Sequence, residues 1–210
     1  TNNLVFGGAQ QDLYNDYHYE IFDSNKMLSV YFDKTKQLDY YSICKKTKLN
    51  LSALSIDILS ADYVARKMFD AKSIEDYIIW GIGKHKDDML IIKGNKLIGL
   101  VSFKRLKSGI EILKSIGSEK YILNCLDKIS NKSFADLASL EFSKKIFMYQ
   151  KCDSSTDMKN IVKKNKESIT ILNPLLKIDS YKKKRNDDIK LSFLAEMGYL
   201  FKLVKKRSSN

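Results

Sequence analysis

The sequence predicts an α/β domain with a mixed central sheet and flanking helices, because two segments have the pattern of buried strands. The first is a hairpin, in which apolar runs at Met89–Ile92 and Leu97–Phe103 flank a Lys-Gly-Asn-Lys turn. Glycine and asparagine tolerate the positive φ angles that a tight hairpin turn requires. Both runs are almost continuously apolar, which is typical of strands buried on both faces. The second segment, Ser168–Leu172, is apolar and β-branched and stops before Pro174.

The composition favours a basic protein of a reducing compartment. The 210 residues include 37 Lys and Arg against 25 Asp and Glu, which gives a net charge of +12. Such a surface attracts nucleic acid or another polyanion, although a lysine-rich bias from AT-rich codons gives the same charge without a function. Three widely spaced cysteines favour neither disulfides nor a metal site, so a cytoplasmic location is expected. No apolar run reaches the roughly 18 residues of a membrane span, and Thr1–Gln11 lacks the pattern of a signal peptide.

Residues 1–50 are predicted to form a β-rich extension in front of the α/β domain at 51–210. Three short aromatic and β-branched segments in the extension are separated by polar breaks, which favours a small β-meander. These segments are Tyr17–Phe22, Met27–Phe32 and Leu38–Cys44.

The α/β domain is predicted to begin with two helices that precede the hairpin. The first starts at Ser60 and the second at Ser73, since each serine or its neighbours resemble a helix start. After the hairpin, the pattern predicts a third strand at Ile110–Leu113 and a helix at Glu119–Ile129. Cys125 falls on the apolar stripe of that helix, which indicates a core residue rather than a reactive thiol.

The remaining segments are shorter and mostly polar between their apolar parts. Phe134–Phe142 fits a strand or a helix, and Ile146–Tyr149 is a short apolar segment. An amphipathic helix is predicted at Ile189–Met197, closed by Gly198, and a last strand at Tyr199–Val204.

The order of elements resembles the GNAT superfamily of N-acetyltransferases. Two segments carry the resemblance: Asn95–Phe103 is similar to a hairpin of the family, and Phe193–Tyr199 is similar to its closing helix and Gly-aromatic exit. The resemblance covers about three quarters of the chain and leaves the first 50 residues as an extension. It implies an acyltransferase that acts on an amine of a small molecule, a protein or a nucleic-acid-associated substrate.

The same resemblance implies acetyl-CoA or another acyl-CoA as the cofactor. In the family, backbone amides at a turn that opens a helix hold the pyrophosphate. The residues that match this turn here are Gly117 with Ser118, and Lys144 with Lys145, although neither pair has the family's usual Gly-rich run. The family's tyrosine general acid aligns with Leu194, which cannot transfer a proton, so no catalytic residue is assigned.

The hairpin also resembles the core of PD-(D/E)xK nucleases, which suggests an alternative function. Those enzymes place an Asp at the start of the hairpin and an acid-x-Lys at the end of its second strand, where the acids hold Mg²⁺ and the Lys assists water. Asp88 and Lys104 have this placement, and Glu75 offers the acid of the preceding helix. Ser102 stands where the second hairpin acid belongs, which is the main departure.

A third possibility is a non-catalytic module that binds nucleic acid or another polyanion through basic side chains. The chain has no Walker loop, Gly-x-Gly-x-x-Gly, His-Glu-x-x-His or Cys-x-x-Cys motif, so no metal site is predicted from motifs. The sequence does not indicate an oligomeric state. The candidate phosphate-contacting residues are Lys104, Arg105, Lys182, Lys183, Lys184 and Arg185.

Overall fold

The predicted hairpin forms the centre of the fold. The computed structural model describes residues 19–20, 27–28, 34–48, 56–130, 145–151, 161–163 and 168–173. Strands β4 (Asp87–Lys93) and β5 (Lys96–Leu106) pair in antiparallel fashion around Gly94 and Asn95, whose φ angles are 54° and 63°. Two successive positive φ angles define the tight turn that suits the twist of two antiparallel strands. The hairpin prediction is therefore confirmed.

Six strands form one mixed sheet around this hairpin. The other four are β3 (Tyr77–Ile82), β6 (Gly109–Gly117), β7 (Lys145–Gln150) and β8 (Ile169–Ile171). The order is β6-β5-β4-β3-β7-β8, in which the first four strands are antiparallel neighbours and β7 lies parallel to β3 and to β8. The prediction of a mixed sheet that contains the hairpin and the segment at 168–172 is confirmed.

Helices cover both faces of the sheet, which explains why the central strands are continuously apolar. Helix α2 (Asp57–Met68) packs on one face and α4 (Glu119–Ser130) on the other. Alternate residues of each strand face opposite helices. The α2 face buries Tyr77, Ile79, Leu90, Ile92 and Phe147, and the α4 face buries Ile78, Trp80, Met89, Ile91, Val101 and Phe103.

A buried polar cluster fixes α2 on its face of the sheet. The Tyr77 hydroxyl donates to Asp62 Oδ1 at 2.6 Å, and Arg66 Nε donates to Asp62 Oδ2 at 2.9 Å. Arg66 also lies over the Tyr77 ring, 5.6 Å from its centroid. Because both oxygens of the Asp62 carboxylate accept hydrogen bonds, burying this group costs little free energy. The cluster sets the position of the whole helix and hence of its first residue, Asp57.

The N-terminal region differs in part from the predicted meander. Two-residue strands β1 (Tyr19–Glu20) and β2 (Met27–Leu28) pair in antiparallel fashion, but the third predicted strand is wrong. Its residues, Leu38–Cys44, lie within helix α1 (Lys34–Lys46). Short apolar segments do not distinguish strand from helix by periodicity, and two lysines in the last turn of α1 complement the helix dipole. The division of the chain at residue 50 stays a prediction.

The helix predicted from Ser73 is also wrong. Only the short helix α3 (Ala71–Ile74) forms there, and the following apolar residues build the central strand β3. An apolar run that is buried on both faces has no helical or alternating period, so its pattern fits either element. The preceding helix starts at Asp57 rather than at Ser60.

The strand predicted at Ile110–Leu113 is confirmed within β6, and the helix at Glu119–Ile129 is confirmed as α4. Cys125 is fully buried on the inner side of α4, as expected. The segments at Phe134–Phe142, Ile189–Met197 and Tyr199–Val204 lie outside the described residues. Among the described helices, none combines the length and apolarity that crossing a membrane would need.

Candidate active site

A row of paired residues crosses the sheet on the α2 face. Ser102 on β5 lies opposite Asp88 on β4, Asp88 lies opposite Gly81 on β3, and Gly81 lies opposite Tyr149 on β7. Directly opposed residues of neighbouring strands point to the same face of a sheet. A Cβ atom at Gly81 would stand only 2.5 Å from the Tyr149 hydroxyl oxygen, so the Tyr149 ring occupies the space above Gly81. The missing side chain therefore leaves room for side chains of β4 and β7 to meet above β3.

Lys151 links this row to the N-terminus of α2. It follows β7, and its backbone N–H donates to the carbonyl of Ile82 at 2.8 Å. Its ammonium donates to Asp88 Oδ2 and lies 3.5 Å from Asp57 Oδ2. The Lys151 side chain is 14% exposed and the Asp88 side chain 9%, whereas Asp57 is 37% exposed. One partly buried cation therefore bridges two carboxylates near the surface.

Each carboxylate has a second hydrogen bond that fixes its orientation. Asp88 Oδ1 accepts from the Ser102 hydroxyl, and Asp57 Oδ1 accepts from the backbone N–H of Ile58 at 2.9 Å. Both Oδ2 atoms consequently face the Lys151 ammonium. Carboxylates whose outer oxygens are held by hydrogen bonds keep their inner oxygens in place for a cation.

The protonation state of Lys151 follows from its surroundings. Burial lowers the pKa of the ammonium, but the hydrogen bond to Asp88 and the charges of Asp57 and Asp88 together raise it above its ordinary value. The amine therefore stays protonated at neutral pH. A protonated amine carries a positive charge and is not available as a nucleophile or a general base.

Tyr149 contributes a buried hydroxyl beside the two acids. Its side chain is 2% exposed, and its hydroxyl lies near the Asp57 carboxylate without a hydrogen bond of normal geometry to any described residue. Burial raises the pKa of Tyr149 well above its ordinary value, and the negative charges of Asp57 and Asp88 and the interaction of the hydroxyl with Asp57 raise it further. The phenol therefore stays protonated beside the two carboxylates.

Asp87 faces the opposite side of the sheet and has a structural role there. Its carboxylate accepts from Trp80 Nε1 at 3.0 Å and from the Gly83 N–H at 3.1 Å, and it pairs with Arg105 Nε at 2.8 Å. Burial raises the pKa of Asp87, while the Arg105 charge and the hydrogen bonds lower it in part. Asp87 thus anchors the start of the hairpin, and Arg105 is engaged in that anchor rather than held ready for a phosphate.

The nuclease residues expected from the sequence are only partly brought together. Asp88 and Ser102 meet, but the Lys104 ammonium lies 3.5 Å from Glu111 and 44% exposed. Glu75 lies at the other end of β4, because its carbonyl accepts from the N–H of Asn95 in the hairpin turn. That end is about 17 Å from Asp88 along the strand. The acid and the lysine that actually join Asp88 are Asp57 and Lys151.

The two candidate acyl-CoA turns lie at separate places on the sheet. The Ser118 N–H donates to the carbonyl of Ile98 at 2.8 Å, so this amide is already used. Lys145 begins β7 and lies at the same end of the sheet as Gly117, but β5, β4 and β3 stand between them. Four strand spacings correspond to about 19 Å. Lys144 lies outside the described residues, and the cofactor assignment stays a prediction.

The basic cluster expected at Lys182–Arg185 also lies outside the described residues. Three exposed residues, Lys84, His85 and Lys86, instead form the loop between β3 and β4. Lys86 Nζ lies 3.8 Å from Asp88 Oδ1 with its side chain 53% exposed. The loop places the positive charge of Lys86 beside Asp88.

Fold and site together define an α/β protein with a carboxylate–lysine–carboxylate cluster where β3 and β7 end and α2 begins. The chain matches no family model, no curated protein and no solved structure. Within the described ranges, no three His, Cys, Asp or Glu side chains are grouped to hold a metal ion. The acidic ligands that the described site offers are therefore Asp57 and Asp88.

Proposed function

We propose that this protein hydrolyses phosphodiester bonds of nucleic acid with a divalent cation held by Asp57 and Asp88. The proposal keeps the nuclease alternative and replaces its residues Glu75 and Lys104 by Asp57 and Lys151. The observation that supports it is the contact of one ammonium with Oδ2 of both carboxylates. Two carboxylate oxygens that contact the same ammonium are also positioned to bind the same metal ion.

The donor set suits magnesium or manganese. Mg²⁺ is commonly held in enzymes by one or two carboxylates, with water and substrate phosphate oxygens as its other ligands. A cation at this position would polarise the phosphate and lower the pKa of a bound water. The hydrogen bonds from Ser102 and from the N–H of Ile58 would keep both carboxylates oriented for it.

The remaining side chains of the site suit phosphoryl chemistry. Lys151 is protonated at neutral pH, so it would stabilise the negative charge that develops on the phosphate in the transition state. The protonated Tyr149 hydroxyl can donate to an oxygen that enters the site. The chain itself thus supplies charge stabilisation and orientation, and the cation would supply the activated water.

The surroundings of the site favour a polyanionic substrate. Lys84 and Lys86 are exposed in the β3–β4 loop, and Lys86 lies 3.8 Å from Asp88. The whole chain has a net charge of +12. Exposed lysines beside a site raise the local concentration of nucleic acid by electrostatic attraction.

The test is cleavage of plasmid DNA and of single-stranded RNA with Mg²⁺ or Mn²⁺, compared among variants. Asp57→Asn, Asp88→Asn and Lys151→Met should each lower the cleavage rate by about a hundredfold or more, as the loss of one transition-state contact typically does. Lys120→Met is the matched lysine control and should retain the wild-type rate, because Lys120 is exposed on α4, on the opposite face of the sheet. Cleavage that survives Lys151→Met, or no cleavage with any divalent cation tried, would contradict the proposal.

A further inference from the structure

We infer that Lys151 is a resident cation that occupies the metal position of the free protein, and that a substrate phosphate and the metal ion enter the site cooperatively. The inference rests on the proposed function and concerns how the same site is regulated. It starts from the direct competition of two cations for the same two oxygen atoms.

The competition follows from how each carboxylate is partnered. The Oδ1 atoms of Asp88 and Asp57 accept from Ser102 and from the N–H of Ile58, and both Oδ2 atoms face the Lys151 ammonium. A metal ion bound between the two Oδ2 atoms would be in contact with the ammonium, and both groups are positively charged. Such repulsion in a partly buried site is strong. The ion can therefore bind only when the ammonium moves away.

A substrate phosphate beside the site would attract the ammonium away from the two carboxylates. The backbone of Lys151 is fixed on Ile82, but four methylenes separate its ammonium from the main chain, and part of the side chain is exposed. A substrate phosphate would offer the ammonium a new anionic partner and would release both Oδ2 atoms to the metal ion. Phosphate binding therefore favours metal binding, and metal binding frees the ammonium to bind phosphate.

Tyr149 adds a buried donor that a ligand in the site would use. Its side chain is 2% exposed, and its hydroxyl lies near the Asp57 carboxylate without a hydrogen bond of normal geometry to any described residue. This hydroxyl lies above Gly81, between the strands that bear Asp88 and Lys151. A phosphate oxygen or a water on the metal ion would satisfy it.

The measurable consequence is positive coupling between metal and phosphate. Linkage requires that the factor by which phosphate tightens metal binding equals the factor by which metal tightens phosphate binding. We expect the wild-type protein to bind Mn²⁺ weakly alone and about tenfold more tightly with a phosphate probe, within the usual range of coupling between two sites. Removal of the ammonium should tighten Mn²⁺ binding without phosphate and bring the coupling factor close to one.

The experiment is a titration of the full chain with Mn²⁺, followed by the electron paramagnetic resonance signal of free Mn²⁺. Each titration is run with and without thymidine 5′-monophosphate, which has no diester to cleave, and a protein-free titration corrects for Mn²⁺ bound by the nucleotide. The variants are Lys151→Met and Lys151→Gln, with Lys120→Met as the control that keeps wild-type behaviour. Thermal unfolding checks that each variant is folded.

Equal Mn²⁺ affinity of the wild-type protein with and without the nucleotide would overturn the inference, and this result requires no variant. Unchanged or weaker Mn²⁺ binding by folded Lys151→Met and Lys151→Gln would overturn it as well. The two proposals fail separately. Coupling without any nucleic-acid cleavage removes the proposed hydrolysis and keeps the cation exchange, whereas Mg²⁺-dependent cleavage without coupling removes the exchange alone.

Discussion

Lys151 and Asp88 form an ion pair between two strands that are not neighbours in the sheet. Asp88 lies on β4 and Lys151 follows β7, and β3 runs between these strands. The pair closes over Gly81, which presents no side chain on this face. The site therefore depends on a glycine that contributes no functional group.

Gly81→Ala tests this dependence. The new Cβ would stand 2.5 Å from the Tyr149 hydroxyl oxygen and 2.6 Å from its Cζ, so the Tyr149 ring must shift. Overpacking of this kind costs about 1–3 kcal/mol of unfolding free energy, measured by urea denaturation. In a Tyr149→Leu background the ring atoms are gone, and the cost of Gly81→Ala should fall. An equal cost in both backgrounds would show that the strain arises elsewhere.

Asp88→Asn is expected to destabilise the protein more than Asp57→Asn. Removal of one partner from a buried ion pair leaves the other charge uncompensated, at a typical cost of about 3 kcal/mol or more. Asp57 is more exposed than Asp88, so water replaces it more readily. Urea unfolding of the two variants and of the wild-type protein gives the order directly. The reverse order would show that Asp57 is the main partner of Lys151.

The stability of the Lys151 cluster should decline at high pH. The pKa of Lys151 is raised above its ordinary value of 10.5 in the folded protein. A raised amine pKa contributes stability that is complete below the unfolded value and is lost as the pH rises through the folded value. The difference in unfolding free energy between wild-type and Lys151→Met should therefore be constant below pH 10 or so and shrink above it. A difference that does not change up to pH 12 would contradict the raised pKa.

Cys125 and Cys44 should differ strongly in reactivity. Burial raises the pKa of the Cys125 thiol to about 12, so little thiolate exists at pH 8. Cys44 lies on α1 and is partly exposed. Iodoacetamide at pH 8 should label Cys44 in the native protein and Cys125 only after denaturation, as peptide mass spectrometry would show. Equal labelling of both in the native state would place Cys125 outside the core.

The parts of the fold that the sequence predicted are those with local causes. The turn at Gly94 and Asn95 and the apolar stripe of Glu119–Ile129 each depend on residues close in sequence. The segment Tyr77–Ile82 was assigned to a helix because a strand buried on both faces has no period that would exclude one. Only tertiary contacts determine whether such a segment forms a strand or a helix.

The candidate site could be predicted only at Asp88 and Ser102, which lie on the two strands of a recognisable hairpin. Lys151 lies 63 residues further along the chain and comes beside Asp88 through the pairing of β7 with β3. Nothing in the sequence around either residue encodes that pairing. Asp57 was missed because Ser60 resembles a helix start, whereas the helix begins at Asp57 without a side-chain cap.

The strand order also constrains how the protein is made. As the chain leaves the ribosome, Asp57, Asp88 and the antiparallel strands β3 to β6 emerge first, and β7 emerges last among the elements of the site. Until β7 docks, the apolar strand β3 is an open edge, which is a template for pairing with other chains. Lys151 arrives on the same segment that covers this edge. Docking of β7 therefore covers this edge of β3 and brings Lys151 to Asp88 in the same step.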